Sequence, residues 1–230
     1  MTINICSRKI SYLALSTALL LAGVLGVSWN AQRAQADGNP GGGSYVIRVE
    51  EDWSFLVNQP DSSKASPQVS TQMTRAPYSS RFCNLHINSC DLPAFRQGGA
   101  QLQSWQGSTN QTASSIQSAI MNSANELVTW TQYLRNNNGS LMFGISAASS
   151  TTWGDFSGQE IAVSGHSTYL DDYSSNYSVN NSGVTYGANR VTSMVLTGVR
   201  IYYSDGSVRT DSTPRVIYST LLDPALGGNQ

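Results

Sequence analysis

The sequence predicts an all-β fold, a single β-sandwich of the jelly-roll or concanavalin-like kind. Three observations predict it. Short segments rich in Val, Ile, Tyr, Trp and Thr place apolar and polar residues in alternation. Turn-forming Gly, Asn, Asp and Pro separate them at regular intervals. No window sustains apolar spacing at the helical period.

The elements follow in order. Tyr45–Trp53 alternates in part, and Gln68–Ala76 is the second strand. Phe82–Asn88 puts Cys83, Leu85 and Ile87 on one face and Asn84, His86 and Asn88 on the other. Ala100–Gln106 follows the Gly98-Gly99 break. Ile116–Asn122 is ambiguous and reads as a short helix as easily as a strand. Leu127–Arg135 is rich in β-branched and aromatic residues. Asn138-Gly139 is a type I′ hairpin turn, and Ser140–Ala148 is its return strand. Ile161–Ser167 is a weaker signal. Val191–Tyr203 is the strongest strand, with a bend at Gly198. Asp205-Gly206 turns the chain into Val208–Thr210, and Arg215–Thr220 closes the set. So many strands in residues 45–220 exceed an immunoglobulin domain and suit a larger sandwich.

Residues 1–36 read as a secretory signal peptide. Arg8 and Lys9 form a positive start, Ile10 to Val27 is mostly apolar and uncharged, and Ala34-Gln35-Ala36 is a small-x-small cleavage site. Residues 37–44 form a Gly-rich leader and 221–230 a C-terminal tail. The expected location is secreted, periplasmic or on the cell surface. No second apolar run exists, so no membrane association is expected once the signal is removed.

The whole chain has 13 Lys+Arg against 14 Asp+Glu, and only 12% of its residues are charged. Without residues 1–36 it keeps 10 basic and 14 acidic residues. A nucleic-acid partner is not expected, because phosphate neutralisation needs clustered Lys and Arg. Ser, Thr, Asn and Gln make up 73 of the 194 residues from 37 to 230. Neutral hydrogen-bonding groups therefore hydrate this surface, which suits contact with neutral polar matter such as a glycan or envelope polymer.

Six patterns carry a resemblance: VEEDW (Val49–Trp53), GGAQLQSW (Gly98–Trp105), VTWTQ (Val128–Gln132), TTWGDFSG (Thr151–Gly158), NSGVTYGANRV (Asn181–Val191) and TPRVIY (Thr213–Tyr218). Together they resemble a family of secreted bacterial proteins of planctomycete type with no assigned activity. The resemblance spans most of residues 37–230. It implies a single exported domain and designates no catalytic residue.

The candidate chemistry is sparse. Cys83 and Cys90 suit a disulfide in an exported protein. A metal pair completed by His86 is disfavoured, because zinc needs four ligands and the only other histidine is His166. No cofactor is implied. A structural calcium is open at Glu50-Glu51-Asp52 or Asp171-Asp172, since calcium takes carboxylate oxygens. Glycoside hydrolysis needs two facing carboxyl groups, and among four Glu the pair Glu126 and Glu160 is the candidate. Nucleophilic catalysis lacks a G-x-S-x-G elbow. Non-catalytic binding is therefore favoured over a polysaccharide hydrolase or lyase, with a structural envelope role as a further alternative. Glycan contact needs aromatic faces beside amide and carboxyl groups. The Tyr- and Asn-rich segment Tyr169–Tyr186 offers Tyr169, Asp172, Tyr173, Tyr177 and Tyr186, and Trp105 and Trp153 add indoles.

Overall fold

The computed structural model describes residues 43–60, 67–77, 79–88, 99–117, 119, 121–163 and 169–220. The expected signal peptide and C-terminal tail lie outside these residues, as do Cys90 and His166. No helix among the described residues is long and apolar enough to cross a membrane.

Two antiparallel sheets pack face to face as an all-β sandwich. The larger sheet holds β1 (Val46–Val57), β6 (Glu126–Asn137), β7 (Ser140–Ser150), β8 (Gly154–Asp155), β9 (Gln159–Ala162), β11 (Val191–Tyr203), β12 (Val208–Asp211) and β13 (Arg215–Ser219). Its order is β12-β11-β1-β6-β7-β8, with β13 on β11 and β9 on β7. The smaller sheet has the order β10-β2-β3-β4-β5, from β2 (Gln68–Met73), β3 (Arg81–Asn88), β4 (Gly99–Gln106), β5 (Thr109–Gln117) and β10 (Gly183–Tyr186). A short helix, α1 (Ser175–Asn181), packs between β2 and β13.

Strand alternation sets the core. Val49, Trp53, Phe55 and Val57 of β1 point inward and are almost fully buried. Val128, Trp130 and Leu134 of β6 meet them across the ladder. Trp53 lies opposite Trp130, and their rings stack with centroids 6.2 Å apart and 7° between planes. Val69, Met73, Cys83, Leu85, Ile87, Ala100 and Leu102 supply the facing layer. Burying the two indoles alone removes several hundred Å² from water, at 150–250 Å² per large aromatic.

Two irregularities adjust which side chains reach the core. At Ala147 (φ 47°), β7 carries an extra residue opposite Trp130. Phe143 and Ile145 point inward before it, and Ala148 and Ser150 are buried after it, so the bulge shifts the inward parity by one. A second register shift faces Asp52 and Trp53 of β1 and places Thr197 as the extra residue of β11. The bend expected at Gly198 falls at this bulge.

Most expected strands are present. Asn138 and Gly139 both have positive φ (50° and 88°), as a type I′ turn requires. Ile116, read as part of a possible helix, belongs to β5. This strand is an edge of the smaller sheet with an exposed outer side, so its polar sequence TNQTASSIQ suffices.

Candidate functional site

The seven aromatic and acidic positions expected to bind glycan do not form one loop surface. Tyr173 turns into the protein, where its hydroxyl donates to buried Glu51 Oε1. Its side chain is partly buried against the core, and its hydroxyl is committed to Glu51. Trp153 packs against the core, edge-on to Phe156 at 5.3 Å, and its indole N–H donates to the Ala119 carbonyl at 2.8 Å. Tyr177 sits on α1, half-buried. Tyr169 is exposed, and exposed Asp172 lies 3.9 Å from the Arg75 guanidinium. Trp105 and Tyr186 both belong to the smaller sheet, on β4 and the edge strand β10.

The carboxylate pair fails on distance. Glu126 begins β6, is fully buried, and accepts the Thr152 backbone N–H at 2.8 Å as well as the Thr152 hydroxyl. Glu160 is held by Arg135, with Arg135 Nη2 2.7 Å from Oε1 and Nε 3.0 Å from Oε2, and by the Tyr133 hydroxyl. Arg135 is nine residues along β6 from Glu126, or about 30 Å of strand. The two carboxyl groups cannot approach the ~5–10 Å that glycoside hydrolysis requires. The Arg135 hydrogen bond also holds Glu160 below the usual carboxylate range, the wrong direction for a proton donor.

The acidic run of β1 is divided between two faces. Glu50 and Asp52 point outward and meet Arg200, while Glu51 points into the core. Arg48 adds a second cation to Glu50 at 2.7 Å. Arginines thus contact Glu50 and Asp52, and Asp171 Oδ1 accepts the Val46 backbone N–H at 2.8 Å. No group of three or more potential metal ligands occurs among the described residues.

Among the described residues Cys83 is a buried free thiol, and Cys90, the other half of the expected disulfide, lies outside them. Cys83 lies on β3, which runs without a break to Asn88.

A different constellation lies on the outer face of the smaller sheet. Register places Phe82 opposite Trp105, Asn84 opposite Gln103 and His86 opposite Gln101. Gln72 and Ser70 of β2 extend the same rows. The Phe82 and Trp105 rings stack at 6.2 Å with 8° between planes, both half-buried. From the indole edge a directed relay runs along β4. Trp105 Nε1 donates to Gln103 Oε1 at 2.9 Å, Gln103 Nε2 donates to Gln101 Oε1 at 2.6 Å, and Gln101 Nε2 donates to Ser115 Oγ at 3.3 Å. Gln103 and Gln101 are buried, whereas Asn110 and Ser115 at the rim are exposed. Burial pushes His86 down to about 4, so the imidazole is neutral above that pH.

The relay fixes the indole by its N–H edge. Each glutamine amide is oriented by a donor on one side and an acceptor on the other, so Trp105 presents its ring in one pose. A half-exposed stacked indole with neutral amides and hydroxyls at its rim can stack on a sugar ring and bond its hydroxyls. Comparison of the chain with family models, curated proteins and solved structures finds no match.

Proposed function

We propose that this chain is an exported, non-catalytic β-sandwich protein that binds a glycan or other neutral surface polymer at the Phe82–Trp105 platform. The observation that carries this reading is the buried relay Trp105–Gln103–Gln101–Ser115. An outer sheet face needs no buried amides for stability, since each must be hydrogen-bonded to offset its desolvation. Their consequence here is a positioned indole. The signal-like residues 1–36 and the resemblance to secreted bacterial proteins support export.

The test is a glycan array probed with the chain lacking residues 1–36, alongside Trp105→Ala. Binding to at least one saccharide, lost in Trp105→Ala with unchanged circular dichroism, is the expected result. No response on the array, or equal binding by the variant, sinks the proposal. Export is checked separately by N-terminal sequencing of the protein recovered outside the cytoplasm, which should begin at Asp37.

A further inference from the structure

The five strands of the smaller sheet contain one charged residue, Arg81, at the first position of β3. The strands of the larger sheet carry the rest of the strand-borne charge: Arg48, Glu50, Glu51 and Asp52 on β1, Glu126 and Arg135 on β6, Asp155 on β8, Glu160 on β9, Arg200 on β11, Arg209 and Asp211 on β12, and Arg215 on β13. Most of these are paired with one another through Arg200, Arg135 and Arg215. Among the described residues, strand-borne charge is thus segregated to one layer of the sandwich.

The outward positions of the smaller sheet include Ser70, Gln72, Asn84, Gln101, Gln103 and Trp105, together with His86. None carries a charge above the His86 transition. Arg81 falls on the opposite strand parity from Phe82. A carboxylated or sulfated polymer laid on this face would lose hydration and meet no opposing cation among these outward strand positions, a cost that grows with each acidic unit. A neutral polymer keeps its hydroxyl bonding, because an amide offers a donor and an acceptor and a hydroxyl answers both. Among the described residues these outward strand positions also present no carboxylate of the kind that anchors a bridging calcium ion.

We infer that the platform selects neutral glycans over acidic ones and engages them without a bridging metal ion. This inference rests on the glycan reading above. Two features of binding follow: indifference to salt, since no ion pair is screened, and indifference to pH wherever His86 stays neutral.

The experiment is affinity electrophoresis or calorimetry of the chain lacking residues 1–36 against a neutral panel (mixed-linkage glucan, mannan, arabinoxylan) and an acidic panel (alginate, polygalacturonate, hyaluronate). It is run at about 20 mM and about 0.5 M salt, at two pH values on the neutral side of His86, and with and without EDTA. The expected result is retention by at least one neutral polymer, changed less than about twofold by salt, pH or EDTA and weakened at least about tenfold in Trp105→Ala. Trp105→Phe, which keeps the ring stack and loses the N–H, should retain part of the affinity. Retention by acidic polymers that collapses at high salt, or binding abolished by EDTA, overturns the selectivity while leaving glycan binding standing. Failure with both panels overturns the glycan reading and this inference with it.

Discussion

Tyr173 donates a hydrogen bond to Glu51 in the interior of the sandwich, tying the segment that leads into α1 to the central strand β1. Glu51 Oε2 also accepts from Trp53 Nε1 at 3.0 Å and Gln132 Nε2 at 2.7 Å. Gln132 Oε1 in turn accepts the Thr71 hydroxyl of the facing sheet at 2.6 Å. A carboxyl group at zero exposure thus links both sheets and the helix segment through neutral donors, with no ion pair of its own.

That environment gives Glu51 a defined pH signature. Burial raises its pKa, and the donors Tyr173, Ser178, Gln132 and Trp53 offset this only in part. The folded value lies above the unfolded value of about 4.3. Between the two, the folded state binds more protons than the unfolded state, so this group's contribution falls as pH rises. Glu51→Gln cannot titrate. Its melting temperature relative to the parent should climb as pH rises above about 4, and parallel curves would refute the assignment. Tyr173→Phe leaves a buried carboxyl oxygen without its donor and should cost about 1–3 kcal/mol in urea unfolding.

Gly144 reports on packing between β7 and β9. A Cβ there would lie 2.7 Å from the Gln159 carbonyl oxygen and against the Tyr133 ring. Neither neighbour can yield. Gln159 is ladder backbone, and Tyr133 is held by Glu160 at 2.9 Å and capped by the Arg48 guanidinium 4.1 Å from its ring centroid. Gly144→Ala should therefore cost about 1–3 kcal/mol by overpacking. Adding Tyr133→Ala should recover part of the loss, and strictly additive effects in the double-mutant cycle would rule out the clash.

How much was legible in sequence depends on what each signal measured. Strands whose inward residues are apolar, such as β1, β6 and β11, announced themselves by alternation and composition. β5 did not, because an edge strand with one weakly buried face can be written in Thr, Asn, Gln and Ser. α1 did not, because seven residues hold too few turns to show a period and Ser178 is its buried residue. At the candidate site, Trp105 was visible as an aromatic in GGAQLQSW. The relay was not: Gln101 and Gln103 look like solvated outward residues until the β3–β4 register sets them beside His86 and Asn84. Tyr173 was misplaced for a related reason. A tyrosine among Asp and Ser reads as surface, and only the buried carboxyl of Glu51 draws it inward.

The Cys83 thiol gives a direct chemical check on β3. Burial pushes its pKa up, so no thiolate forms near neutrality. In the chain lacking residues 1–36, Ellman's reagent should fail to reach Cys83 under native conditions. Unfolding without reductant should then titrate both Cys83 and Cys90, and reductant should leave the melting temperature unchanged. Absence of titratable thiol in the unfolded, unreduced chain would establish a disulfide and overturn the free Cys83 thiol.

Gln103 is the hinge of the relay and a positioning residue for Trp105. Gln103→Leu keeps the volume and deletes both the acceptor for Trp105 Nε1 and the donor to Gln101 Oε1. The half-exposed indole can recover a water, but the buried Gln101 oxygen cannot, so stability should fall by about 1–3 kcal/mol. A purely structural glutamine would stop there. If the relay sets the indole pose, the variant also shows faster local indole motion in fluorescence anisotropy decay and about tenfold weaker retention by the polymer that the parent binds. Loss of stability with unchanged anisotropy and unchanged retention would separate the relay from binding, and would leave Gln103 with the sheet instead of the site.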